Sequence, residues 1–249
     1  MGYFMKVNAI IQARCGSTRL PGKIFMEIAG KPLLWHVVNR LTYANLIDDI
    51  VVATTTGIKD DAVEEWCDEN NVKCFRGSEE DVLNRFYNAA TTFPCDVIVR
   101  VTADDPFKEP SIIDKIIKKL VDENLDLATN VFPPSFPEGL DCEVFTFDVL
   151  QTMEKTTNDS YDREHVTPYI YNNPDKFKIG NVLSNLQLSS YRWTIDNKED
   201  YEMVNVIYDN RKNQSEGILL MDEILEIIEK NPEIASINSD VERSAMYKK

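Results

Sequence analysis

Apolar runs rich in β-branched residues alternate with helical patterns through the first half of this 249-residue chain. A parallel neighbour can be reached only through a crossover, so repeated strand–helix units build a mainly parallel sheet with helices packed on it. Strands are expected at 7–12, 50–54, 72–75, 97–102 and 125–129, and helices at 32–43, 60–70, 80–92 and 111–123. Several helix starts carry carboxylates where the dipole is positive, at Asp60 and Asp61 and from Glu79 to Asp81. Ser111 with Asp114 reads as a capping box. These signals predict a doubly wound α/β domain. Its ligands should lie beyond the C-terminal strand edge, where the loops at Ala13, Arg76 and Ala103 fall.

After Thr129 the rhythm breaks. The stretch from Phe132 to Gly139 holds Pro133, Pro134 and Pro137, which excludes a helix or a central strand there. Further on, strands are expected at 143–147, 177–182 and 191–195. Helices are expected at 149–155, 163–171, 199–208 and 218–229, with a polar tail at 239–249. A chain of this length that is 43% apolar buries one substantial core. We therefore expect a single domain over 1–249, with an acceptor-binding or dimerisation lobe at 130–192 inside it.

Charge removes whole classes of partner. At a net charge of −15 the chain lacks the broad positive surface that nucleic acid or an anionic membrane requires. No apolar run approaches the roughly 18 residues of a membrane span, and Met1 to Lys6 lack the apolar core of a leader. The five cysteines, at 15, 67, 74, 95 and 142, show no C-x-x-C spacing, which suits free thiols in a reducing compartment. The expectation is a soluble, cytoplasmic protein.

Against this acidic background the segment Gln12-Ala13-Arg14-Cys15-Gly16-Ser17-Thr18-Arg19-Leu20-Pro21-Gly22-Lys23 is a positive island. With 42 acids in the chain, its first 26 residues should hold about four, yet the first acid is Glu27. Arginine forks match phosphate oxygens, lysine adds a compact charge, and glycine lets backbone N–H groups approach. A solvated basic loop is the plainer alternative. The spacing of Gly16 and Gly22, with Ile24 after Lys23, departs from the Walker pattern, and no Gly-x-Gly-x-x-Gly turn is present. An ordinary ATPase or dehydrogenase is therefore disfavoured, and a triphosphate-holding loop is expected.

Turnover of a triphosphate calls for a divalent cation on hard oxygen ligands, and magnesium commonly takes only one or two protein carboxylates. Asp104 directly follows an apolar run in Val101-Thr102-Ala103-Asp104-Asp105-Pro106, and Asp196 ends Arg192-Trp193-Thr194-Ile195-Asp196. These two are the candidate metal ligands, with turn or cap carboxylates as the alternative. His36 lies in an apolar helix and reads as structural, and Trp35, Trp66 and Trp193 read as core residues. His165 has two readings, a structural hydrogen-bonding residue or a base.

Taken in order, the basic loop, Phe75-Arg76-Gly77-Ser78-Glu79-Glu80-Asp81-Val82, Asp104-x-Pro106 and Thr194-Ile195-Asp196 resemble the cytidylyltransferases of cell-surface sugar biosynthesis. The likeness is to the spore-coat-polysaccharide type, alongside the Kdo (3-deoxy-manno-octulosonate) and acylneuraminate enzymes. It implies a three-layer nucleotide-diphospho-sugar transferase (GT-A-like) fold. It also implies CTP as donor, Mg²⁺ as cofactor, pyrophosphate as product and a homodimer. Carried over by position, Arg14, Gly16, Ser17, Arg19 and Lys23 would hold the triphosphate together with Ala13, and Lys23 would meet the charge on departing pyrophosphate. Arg76, Gly77 and Ser78 would lie near the cytosine, Thr102 and Ala103 near the ribose, and Asp104 and Asp196 on the metal.

The acceptor end departs from the sugar-acid enzymes. It carries Glu138, Asp141 and Glu143 in one segment and Arg163 and His165 in another, both resembling the spore-coat branch. A small anionic acceptor is expected, either a phosphorylated metabolite such as a phosphorylated amide or sugar, or a sugar acid, in capsule or surface polysaccharide synthesis. Two rivals stay open: a nucleotidyltransferase using another NTP, and a nucleotide-binding protein without turnover.

Overall fold

The run Val7–Gln12 is mainly apolar and buried along both faces, which suits a strand covered from above and below, and it forms β1 inside the sheet. The computed structural model describes residues 5–211 and 217–243, so part of the expected polar tail, 244–249, lies outside them. The remaining strands are β2 (Glu27–Ile28), β3 (Lys31–Pro32), β4 (Asp49–Thr55), β5 (Lys73–Gly77), β6 (Val97–Thr102), β7 (Leu127–Thr129), β8 (Glu143–Thr146) and β9 (Ile179–Asn181). The helices are α1 (Leu33–Leu41), α2 (Asp61–Glu69), α3 (Val82–Thr92), α4 (Pro110–Asp122), α5 (Phe147–Thr156), α6 (Ser160–His165), α7 (Pro168–Tyr171), α8 (Lys198–Asp209) and α9 (Met221–Lys230).

Seven strands form one sheet in the order β5-β4-β1-β6-β8-β7-β9. Only β8 runs against the others, pairing antiparallel with both β6 and β7. Helices cover both faces, giving three layers. One core packs α1, α2, α4, α8 and α9 onto the sheet, and the other packs α3, α5 and α7, with Val166 after α6, onto the opposite side. The amphipathic spacing explains the docking: α4 turns Ile112, Ile113, Ile116, Ile117 and Leu120 inward and leaves its lysines outside. The chain leaves β1 for β4 and β5 on one side and returns to β6 on the other. The crevice at that reversal, above the ends of β1 and β6, is where open α/β sheets bind ligands. The stretch 130–192 supplies β8 and β9 to the same sheet and carries α5 to α7.

Several local expectations need correction. Residues 191–195 form no strand; only an isolated bridge joins Glu138 to Arg192. The expected helix at 163–171 breaks at Val166, where φ is 72° and Thr167 N–H closes a three-residue turn on the His165 carbonyl. Ser111 and Asp114 do not cap α4, whose N-cap is Glu109 with Pro110 following; Asp114 instead accepts from the backbone of Asn45 and Leu46. The β2–β3 hairpin was not foreseen, because two-residue strands carry no periodicity. Its turn at Ala29 and Gly30 holds both residues at positive φ.

Candidate active site

The basic loop leaves β1 and is tied down by its own backbone. Cys15 donates to the buried Asp60 carboxylate at 2.7 Å, its carbonyl accepts from Ser17 and Gly22, and the Ser17 hydroxyl accepts from Leu20 N at 3.3 Å. Asp60 also takes the Thr55 hydroxyl, so the loop is pinned to the end of β4 and the start of α2. Nothing in the sequence marked Asp60 beyond its place at a helix start.

Lys23 reaches from this loop to both candidate metal ligands. Its ammonium donates to Asp104 Oδ2 at 2.9 Å, to Asp196 Oδ1 at 2.9 Å and to the Ile195 carbonyl at 2.8 Å. Burial works against the charged ammonium, but Asp104 and Asp196 outweigh it and Lys23 titrates above the usual lysine range. Burial likewise pushes Asp104 up, yet Lys23 more than compensates and its carboxyl is held below the ordinary value. For Asp105 the balance falls the other way: burial, with Asp104 adding to it, raises its pKa despite Lys108 at 2.8 Å.

Backbone contacts explain why the two aspartates meet. Ile195 N–H donates to the Asp104 carbonyl at 2.9 Å, and Glu138 exchanges backbone hydrogen bonds with Tyr191 and Trp193. Gly139, at φ 105°, makes that approach possible, since a Cβ there would sit 2.7 Å from Thr194 N. Arg192 then anchors Asp196 from behind. Buried, it donates to Asp196 at 2.8 Å, to Glu138 at 2.7 Å and to Asp200 at 2.9 and 3.0 Å. Arg19 also pairs with Asp196, at 3.1 Å, but its side chain is 62% exposed and the pair contributes little stability.

Beside the aspartates lies a cavity of about 200 Å³ lined by Arg100, Thr102, Asp104, Asp141, Glu143 and Asp196, among others. Glu138 also borders it, with its carboxylate engaged by Arg192 and Arg243. Glu143 accepts from Arg100 at 2.7 Å, Tyr171 at 2.7 Å and Thr167 at 3.1 Å. Arg100 is the cation of this wall. Its only sequence signal was a charge inside the apolar run of β6.

The other site residues fall into two groups. Ala13, Arg14, Gly16 and Ser17 form the loop above β1, and Arg14 faces Glu79 at 3.4 Å. Thr102 and Ala103 lead to Asp104, with the Thr102 hydroxyl on Asp105 at 2.7 Å. Gly77 and Ser78 end β5 on the same sheet edge. Arg76, by contrast, spends its fork on Asp61 at 2.6 Å, Glu64 at 2.8 Å and two carbonyls. Arg163 and His165 are not among the residues that line the cavity. The Arg163 fork holds Asp81 and Glu154, both at 2.7 Å, and His165 is exposed beside the Tyr161 ring. His36 is buried between the Ile28 carbonyl and the Tyr208 hydroxyl, a structural position.

The model of the family described as cytidylyltransferase matches residues 8–241. The chain belongs to the cytidylyltransferase family. A spore coat polysaccharide biosynthesis protein of Bacillus subtilis is 33% identical over 91% of this chain and 95% of its own. A solved cytidylyltransferase from Leptospira borgpetersenii is 34% identical, with a TM-score of 0.88 over 96% of this chain and 99% of the other. A 3-deoxy-manno-octulosonate cytidylyltransferase of Geobacter metallireducens is 38% identical over 47% of this chain and 45% of its own. This cytidylyltransferase-family chain is thus a nucleotidyltransferase with the nucleotide-sugar transferase type of fold. Among the described residues no helix is long and apolar enough to cross a membrane.

Asp104 and Asp196 suit a hard divalent cation, because two carboxylates already converge on one positive group, the Lys23 ammonium. No cluster of three or more His, Cys, Asp or Glu stands ready as a closed metal cage among the described residues.

Proposed function

We propose that this cytidylyltransferase-family chain transfers CMP from CTP to a small acceptor and releases pyrophosphate, using Mg²⁺ held by Asp104 and Asp196. The observation that carries the reading is the convergence of Lys23, from the basic loop, on both aspartates at 2.9 Å. An ionised acceptor oxygen attacks the α-phosphorus in line. The bond from that phosphorus to the β-phosphate bridging oxygen breaks, and the electron pair leaves with pyrophosphate. Arg14, Ser17, Arg19 and Lys23 hold the phosphates, and positioning and electrostatics supply the catalysis. Bound Mg²⁺ would offset phosphate charge and help align the attacking and leaving oxygens.

The cavity supports a hydroxyl-rich acceptor with an ionised attacking oxygen, such as a phosphorylated sugar or a sugar acid. Asp141 and Glu143 supply hydrogen-bond acceptors for hydroxyls, and Arg100 supplies the cation. Residues 130–192 also expose Phe132, Tyr161, Leu183 and Leu186, which supports a homodimer that sedimentation would test.

Pyrophosphate release measured with CTP, UTP, GTP and ATP against panels of phosphorylated small molecules and sugar acids tests the reading. We expect CTP alone to support turnover with Mg²⁺. Preference for another NTP would overturn the base assignment. Tight nucleotide binding without release across every acceptor would favour a binding protein.

A further inference from the structure

Arg85, on α3, is the one buried arginine that the proposed chemistry leaves unexplained. Its exposure is 2%. The other deeply buried arginines have more partners: Arg192 has three carboxylates, and Arg40 has the Lys108 and Leu219 carbonyls with Glu109 at 3.9 Å, although one of its guanidinium nitrogens, Nη1, also lacks an acceptor. Arg85 forms no ion pair among the described residues. It makes one hydrogen bond, from Nη1 to the Ser78 carbonyl at 2.5 Å, and its buried Nε has no acceptor. A desolvated cation with a single neutral partner is costly unless an anion meets it in the working state.

Its position shows where that anion would come from. The Arg85 stem runs under Gly77, where a Cβ would lie 3.0 Å from Arg85 Cγ, and its head lies at Ser78 on the C-terminal sheet edge. The basic loop meets the same place: Arg14 faces Glu79, and a Cβ on Gly16 would lie 3.6 Å from Glu79 Oε1. Burial first, and the positive Arg14 second, push the Arg85 guanidinium down to about 10, against the weaker opposing pull of Asp60, Glu79 and Asp81, none of which forms an ion pair with it. Two like charges from separate segments therefore oppose each other beside the triphosphate loop.

We infer that Arg85 is a further anion-binding residue of the nucleotide site, acting with Arg14 on the phosphates of a bound nucleoside triphosphate while its Nη1 holds the Ser78 backbone. The inference rests on the nucleotide-binding reading proposed above.

Calorimetric titration of wild type, R85Q and R85K with CTP, CMP and cytidine, in Mg²⁺ buffer, tests it. R85Q keeps an N–H for the Ser78 carbonyl but drops the charge. It should bind CTP at least tenfold more weakly and CMP less so, with cytidine changed by under twofold. R85K should recover most of the CTP affinity. Equal losses on all three ligands would reduce Arg85 to a shaping role and overturn the inference, as would unchanged CTP binding. If R85Q does not fold, R85M carries the same comparison. A wild-type protein that binds none of ATP, GTP, UTP or CTP would overturn the proposed function and this inference together, whereas wild-type binding with an unselective loss overturns this inference alone.

Discussion

One continuous segment, residues 12–23, carries Arg14, Ser17, Arg19 and Lys23, whereas the wall beside it draws Arg100, the Asp141 and Glu143 pair, and Asp196 from three separate parts of the chain. The loop follows a strand buried on both sides, so its place on the sheet edge comes with β1 itself. The wall exists only after β8 has inserted beside β6 and the 191–196 segment has closed over Gly139. A motif contiguous in sequence can be read as chemistry. A wall assembled from distant segments can be read only as a set of isolated charges.

This contrast predicts that the assembled side depends on buried ion pairs for its integrity, and the loop depends on charge for its activity. The largest effect should come from Arg192→Met, which takes from buried Asp200 its cation and from Glu138 and Asp196 one of theirs. Leaving buried charges uncompensated costs about 3–5 kcal/mol, measurable by urea denaturation. A loss near zero would mean the wall does not rest on this hub.

Next in size, Lys23→Ala should lower the rate of pyrophosphate release by roughly 100- to 1000-fold, the usual consequence of removing a group that stabilises departing charge. Unchanged release would separate Lys23 from the chemistry and leave it as a spacer between two aspartates. Asp104→Asn should cost at least as much as Lys23→Ala, while His165→Asn should change the rate by less than about twofold because the ring is exposed and outside the cavity lining. Equal losses in the two variants would move the chemistry to α6 and undo the comparison.

A smaller effect concerns pH. Burial first, with Arg40 adding and the Ile28 carbonyl opposing, holds His36 below the ordinary histidine value of 6.5. As pH falls past about 6.5 the unfolded chain takes up the proton before the folded one, so stability is full above that value and declines as pH drops toward the folded-state pKa. Denaturation midpoints at pH 7.5 and pH 5.5 should therefore differ. The part of that difference due to His36, on the order of 1 kcal/mol for each unit its pKa is lowered, should vanish in His36→Gln.

How far the sequence could be read followed the range of the forces involved. The runs 7–12 and 97–102 became β1 and β6 with unchanged bounds, because strands buried on both faces need sequence that is mainly apolar. Residues 191–195 have a similar apolar character but form no ladder. Their burial comes from packing against Phe107 and the 138–140 backbone. Arg163 looked suited to an acceptor phosphate until folding brought Asp81, 82 residues earlier, to its fork. Arg76, expected near the cytosine, likewise has its fork on carboxylates of α2.

The sequence by itself determined the alternating architecture, the basic loop and the family, since apolar periodicity and contiguous motifs act through neighbours in the chain. Only the tertiary structure decided that Lys23 reaches Asp104 across 81 residues and Asp196 across 173, that Arg192 anchors the second aspartate, and that Arg85 lies buried with one neutral partner. Those facts depend on distances of a few ångströms between remote segments, and such distances are set by sheet order and core packing rather than by any local preference of the residues.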